Sequence, residues 1–334
     1  MTNQNSANQD LVSNSLTTQS ASPFKTFVGA SAGNPATSSG VDNVCVGNLA
    51  GGALTTGANN TLIGANAGEA ITTGSERTAV GSEALDANST GIHNTAVGFR
   101  SLSAITTGSE CTAVGHLALA DATGNNNTGI GSAAGDSITT GTNNTIVGSG
   151  ALVLNTTGSF NTAVGALALQ LNTASELTAV GTQALDSNST GIRNTGVGFN
   201  VLSAITTNSD CTAVGHNALV AGTGGSNTAI GSSALVSCTS GSSNTGVGSL
   251  VLDSLTTALS NVAMGHDAGS AVTTGNANTC IGGGADVSVG AAAGRIAIGR
   301  GSGGNQALAT VDNGLFFPTT LATMSSYTDP VVFD

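Results

Sequence analysis

A glycine preceded by an aliphatic residue returns every 16 to 18 residues along almost the whole chain, at Gly29, Gly47, Gly64, Gly81, Gly98, Gly115, Gly131, Gly148, Gly165, Gly181, Gly198, Gly215, Gly231, Gly248, Gly265, Gly282 and Gly299. A period of this length marks a stack of like units, none of which can bury its own apolar face alone. Each unit reads approximately N-T-A-V-G-x-x-A-L-x-x-x-T-T-G, as in residues 94–108 (NTAVGFRSLSAITTG) and 144–158 (NTIVGSGALVLNTTG).

The residue before the fixed glycine is aliphatic in every unit (Val80, Val97, Ile130, Met264, Ile298), and the one before that is mostly Ala or Gly (Ala79, Ala96, Gly129, Gly196). Alternation at period two is a strand pattern, and a glycine per unit with β-branched neighbours opposes a helix. Turns such as Thr72-Thr73-Gly74 close the units. The prolines, Pro23, Pro35, Pro318 and Pro330, avoid the regular interior, where each would break a ladder. The predicted fold is all-β, a parallel β-solenoid of about 17 coils over residues 25–305, between a polar arm (1–24) and an aromatic tail (306–334). At a rung spacing of about 4.8 Å the rod is roughly 80 Å long.

Composition agrees. Of 334 residues 7% are charged and 3% aromatic, there is no Trp, and 49 are Gly, so a conventional core of large side chains is excluded. Hydrophobic residues still make up 39%, too many for charge-driven disorder. Six basic against eighteen acidic residues, net charge −12, argue against nucleic acid as a partner. No run reaches the roughly 18 apolar residues of a membrane span, and residues 1–24 lack the basic and apolar regions of a secretory signal.

Two columns define the repeat. Gly64, Gly81, Gly98, Gly115, Gly148 and Gly165 represent the fixed glycine; Asn60, Asn94, Asn144 and Asn161, with Asn43, Asn127 and later counterparts, form a column whose amides are expected to bond up the rod. A longer period overlies these: residues 78–99 (TAVGSEALDANSTGIHNTAVGF) return as 178–199 (TAVGTQALDSNSTGIRNTGVGF), a duplicated six-coil block.

A coil this short has a thin interior. The small column (Ala79, Ala96, Ala113, Ala163, Ala179) is expected to face outward, where small residues let another backbone approach closely, with the large aliphatic column inside. Cyclic association of identical chains is then the economical solution.

The repeat Asn59-Asn60-Thr61-Leu62-Ile63-Gly64 and its counterparts resemble the N-S-V-A-I-G repeat of YadA-like trimeric autotransporter adhesin heads. Those heads are left-handed parallel β-rolls assembled as trimers. The longer NTAVGxxAL…TTG form is similar to repeats in tail-fibre and surface-fibre proteins of phages and large DNA viruses. The resemblance covers about residues 25–305. It implies a left-handed β-roll and an intertwined or side-by-side homotrimer. The ending ALATVDNGLFFPTTLATMSSYTDPVVFD resembles the segment that precedes a self-cleaving chaperone domain in many such fibres rather than an autotransporter anchor. A fibre of this kind assembles in the host cytoplasm and works on the virion surface or outside the cell.

The implied function is non-enzymatic: a trimeric fibre shaft or head that attaches a virus or phage particle to a glycan or protein of the host surface, with no cofactor and no membrane insertion. Alternatives are a bacterial cell-surface adhesin head, a structural rod that polymerises end to end, and an ice-binding solenoid. Residues 1–24 are a candidate attachment segment for a virion protein. Phe316, Phe317, Tyr327 and Phe333, four of the nine aromatics, suit either a cap on the open end of the solenoid or receptor contact.

Individual residues carry weaker signals. Phe99, Arg100 and Phe199 follow fixed glycines and are candidate receptor contacts, with packing between chains as the alternative. Cys111 with His116, and their duplicates Cys211 with His216, form a thiol and imidazole pairing whose catalytic reading needs a cleft that a smooth rod lacks. His116, His216 and His266 are candidate metal ligands only where three copies converge on a three-fold axis. Cys111 and Cys211 lie six coils apart, about 29 Å by the rung spacing, too far for a disulfide; Cys45 and Cys280 are farther still. Scattered acids such as Glu76, Glu83, Asp86, Glu110, Asp121 and Asp136 match no calcium motif. The stacked threonines Thr61, Thr78, Thr95 and Thr112 resemble an ice-binding array, but a place beside the large aliphatic column predicts that they point inward.

Overall fold

A threonine, a small residue and an aliphatic residue make the strand of nearly every coil, because β-branched side chains suit a pleated surface and the next glycine ends the run. The computed structural model describes residues 25–34, 38–287 and 290–299. Seventeen strands follow one another, from β1 (Lys25–Val28) and β2 (Asn43–Val46) through β3 (Thr61–Ile63), β4 (Thr78–Val80) and β5 (Thr95–Val97) to β17 (Ile296–Ile298), with no helix among the described residues. Each strand pairs in parallel with its successor: Thr78, Ala79 and Val80 lie against Thr95, Ala96 and Val97, which lie against Thr112, Ala113 and Val114. The product is the expected all-β parallel β-solenoid.

The fixed glycine is compulsory for two reasons. At Gly81 φ is +139°, a region closed to side chains, and a Cβ there would lie 2.4 Å from the carbonyl oxygen of Gly98 in the next coil. Its N–H meanwhile donates to the Ile63 carbonyl of the preceding coil at 2.8 Å. The glycine column is therefore where successive backbones approach most closely.

The two strand faces are the reverse of the expectation. Ala79, Ala96, Ala113, Ala163 and Ala179 are fully buried inside their own coils, while Ile63, Val97, Val114 and Ile130 are 36 to 40% exposed. The strand threonines share that outer face. The cause is the narrow interior, which leaves opposite the strand little room beyond Ala or Gly. Leucines on the far wall, Leu85, Leu102 and Leu119, already fill it. They do so with φ of 53°, 50° and 50°, a conformation costing a bulky residue about 1 kcal/mol or more, offset by roughly 1.5–3 kcal/mol from burying each side chain.

Wall and strand compensate in size. Leu62 is matched by Gly68 on the wall of its own coil and Ile146 by Gly135 on the wall of the preceding coil, where an added Cβ would come within 3.0 Å and 2.7 Å of those side chains. Where the wall carries Val201 or Val251, the strand residue becomes Gly196 or Gly246, with Cβ approaches of 3.1 Å and 2.9 Å.

The asparagine column is buried and bonded up the rod. Asn144 donates its side-chain amide to Oδ1 of Asn127 at 3.1 Å and to the Gly158 carbonyl at 3.0 Å, while its backbone N–H donates to the same Oδ1 at 3.0 Å. The polar arm, the aromatic tail with Phe316, Phe317, Tyr327 and Phe333, and any cap or virion-binding role for them lie outside the described residues.

Candidate functional site

Because coils stack in register, whatever occupies one repeat position becomes a line along the rod. The outer strand face carries only Thr, Val, Ile and Met at its outward positions in all seventeen strands. Its aliphatic members are partly solvent-exposed, up to 53% at Met264.

Charges stand in the turns on either side. Just before the column of asparagines, His93 Nε2 lies 3.0 Å from Glu76, and Arg193 grips Asp210 with Nε and Nη2 at 2.6 and 2.9 Å. The Arg193 hydrogen bonds hold the Asp210 carboxyl below its ordinary range. Beyond the fixed glycine, Arg100 Nε meets Glu83 at 3.3 Å.

In that same turn the residue after the glycine is exposed. Phe99 stacks on His116 with centroids 5.6 Å apart and planes inclined by 17°, and Phe199 stacks on His216 at 5.5 Å and 10°. Seventeen residues, one coil, separate each phenylalanine from its imidazole. The pairing was legible in that spacing, since both rings follow fixed glycines. Arg100 lies beside the first pair; Asn200, which donates to Asn217 Oδ1 at 2.8 Å, lies beside the second.

Cys111 and His116 are not brought together. The thiol is buried, with Sγ donating to the Gly124 carbonyl at 3.3 Å, whereas the imidazole is exposed on the outer turn against Phe99. Cys211 repeats this arrangement with the Gly224 carbonyl at 3.8 Å. Burial pushes the thiols of Cys45 and Cys280 up to about 12 and that of Cys238 to about 11, and raises those of Cys111 and Cys211. All five cysteines are free. His266 is exposed in a later coil. Among the described residues no three His, Cys, Asp or Glu side chains are grouped as metal ligands.

One shallow depression of about 430 Å³ is lined by Leu49, Gly52, Ala53, Glu69, Ala70, Asp86 and Ala87. Partial burial raises the Asp86 carboxyl there, helped by Glu69 and Glu83. Leu49, Gly52 and three alanines form the rest of the lining, and no nucleophile or base lines it beside the two acids. The arrangement as a whole presents lines of Thr, Val and Ile on the outer strand face and a few exposed rings in the turns beside it. No protein-family model matches the chain, and no curated protein matches it in sequence.

Proposed function

We infer that the chain is a non-enzymatic fibre element that associates with two copies of itself through the outer strand face and attaches a viral particle to a host surface. The observation that carries the assembly is the uncharged, half-exposed line of Val and Ile on that face, bounded by charged turns on both sides. Seventeen rungs of about 4.8 Å and a strand width of about 10 Å give roughly 800 Å² per chain, what one partner contributes to a stable interface. The sequence resemblance to adhesin heads and viral fibres supplies the three-fold symmetry and the attachment role. The turns remain free to make repeated weak contacts that gain from multivalency.

Sedimentation equilibrium of the purified chain tests the assembly. The expected species has three times the 31.9 kDa chain mass, and a monomer at micromolar concentration overturns it. Adherence of the trimer to cell surfaces tests attachment.

The outward threonines favour a second reading. Thr61, Thr78, Thr95 and Thr112 stand in register on a flat face beside the aliphatic line, the arrangement an ice-binding surface requires. The two uses exclude each other, because a trimer contact would cover the array. Thermal hysteresis in a monomeric sample would establish ice binding in place of the fibre.

A further inference from the structure

The geometry points to two carbohydrate-binding platforms per chain, formed by Phe99 with His116 and by Phe199 with His216, each taking one pyranose ring; the inference rests on the attachment reading and names its ligand class. The column after the fixed glycine is otherwise small on both sides of each pair: Ser82 and Ser132 flank the first, Thr182 and Ser232 the second. The ring pairs therefore stand above low steps, and Phe99 and Phe199 remain 44% and 48% exposed.

Exposed rings with planar polar neighbours match what a sugar presents. The C–H face of a pyranose is apolar and packs on an aromatic face, while its rim of hydroxyls needs donors and acceptors in the plane. Beside the first platform the Arg100 and Glu83 pair supplies both. Beside the second, the hydrogen-bonded amides of Asn200 and Asn217 do the same without net charge. Two rings and two polar side chains are far smaller than the roughly 800 Å² a protein partner covers, but they suit a single sugar residue.

The duplication sets the spacing. Corresponding rings are 100 residues and six coils apart, about 29 Å along the rod by rung spacing. Weak single-sugar sites at a fixed separation gain avidity on a surface that repeats the same glycan.

The test uses the full chain and the variants Phe99→Ser, Phe199→Ser and the double variant. Serine already occupies this column at Ser82, Ser132 and Ser149, so the coil is retained, as a thermal melt would confirm. The probe is an array of immobilised mono- to tetrasaccharides of hexoses, N-acetylhexosamines and sialic acids. The expected result is binding to a subset, at about half capacity in each single variant and at least tenfold weaker in the double variant. Fluorine NMR of the chain labelled with fluorophenylalanine should show two of its ring signals moving with the bound soluble sugar.

A blank array for the unmodified chain, or binding unchanged in the double variant, overturns the proposal. So does loss of the trimer in the double variant with no ring signal shifted by sugar, which makes the rings contacts between copies. The attachment reading fails separately. A double variant that still adheres to cells keeps attachment and removes these sites, while sugar-shifted ring signals in a chain that adheres to no cell keep the sites and remove attachment.

Discussion

The side-chain oxygen of Asn43 accepts two hydrogen bonds from Asn60, one from its backbone N–H and one from its side-chain amide, both at 3.0 Å. Each buried asparagine in the column can thus satisfy the next, and the polar interior line costs little. The line breaks one coil later, where Arg77 takes the asparagine place. Its Nη1 reaches the Asn88 carbonyl at 3.4 Å, but Nε and Nη2 have no partner among the described residues, and Oδ1 of Asn60 is left without one as well.

Arg77→Asn should therefore stabilise the chain by about 1–3 kcal/mol, the scale of removing buried unsatisfied groups. Arg77→Leu should also stabilise, since Leu177 fills the equivalent place in the duplicated block fully buried. Asn144→Ala should cost a similar amount in the opposite direction. Urea titrations of the three variants measure all of this, and an Arg77→Asn chain less stable than the parent would refute the account of the break.

The duplicated coils contain a natural size exchange. Ala96 and Ser101 in one block correspond to Gly196 and Val201 in the other, and a Cβ on Gly196 would lie 3.1 Å from Val201. Gly196→Ala alone should destabilise by overpacking, and Val201→Ser alone by loss of buried volume, each by about 1 kcal/mol or more. The double variant should recover most of the loss. A double-mutant cycle with a coupling below about 0.5 kcal/mol would show that the two positions do not share space.

Neighbouring strand residues should answer to different measurements. Ala96→Leu enlarges a fully buried position and is expected to cost 1–3 kcal/mol or more in the melt. Val97→Asp changes the outer face and should leave the coil's circular dichroism intact while abolishing the trimer in sedimentation. If Val97→Asp sediments as the parent does, the outer strand face is not the contact.

Alkali should loosen the rod. The buried thiols of Cys45 and Cys280 hold their protons up to about 12, against 9.0 ordinarily, so above pH 9 the unfolded chain binds fewer protons than the folded one. By linkage, stability then falls as pH rises from about 9 toward 12. Arg77 acts in the opposite sense: burial lowers it from 12.5 to about 10, and its cost, full below 10, is relieved between those values. One guanidinium opposes five raised thiols, so a decline is expected in urea titrations between pH 8 and 10.5, smaller in Cys45→Ala. At pH 8 iodoacetamide should leave all five cysteines unmodified until urea unfolds the chain, as intact mass would record.

The architecture was legible in the sequence because one positive-φ glycine per coil and one bonded asparagine column are requirements of every rung, repeated until chance is excluded. The ring pairs were legible too, since Phe99 and His116 occupy the same repeat position one coil apart. What only the tertiary structure decided was which strand face is the inside. Period-two alternation separates Ala96 from Val97 but does not say which is buried when both are apolar; the width of the coil does, and that width is set by Leu102 and its fellows on the far wall. Reversing the faces moved the aliphatic line and the threonines from the core to the surface, and with them the place of the proposed contact between copies of the chain. The exchange of Gly196 with Val201 and the break at Arg77 also needed three dimensions, because each depends on contacts inside or between coils that the repeat pattern does not reveal.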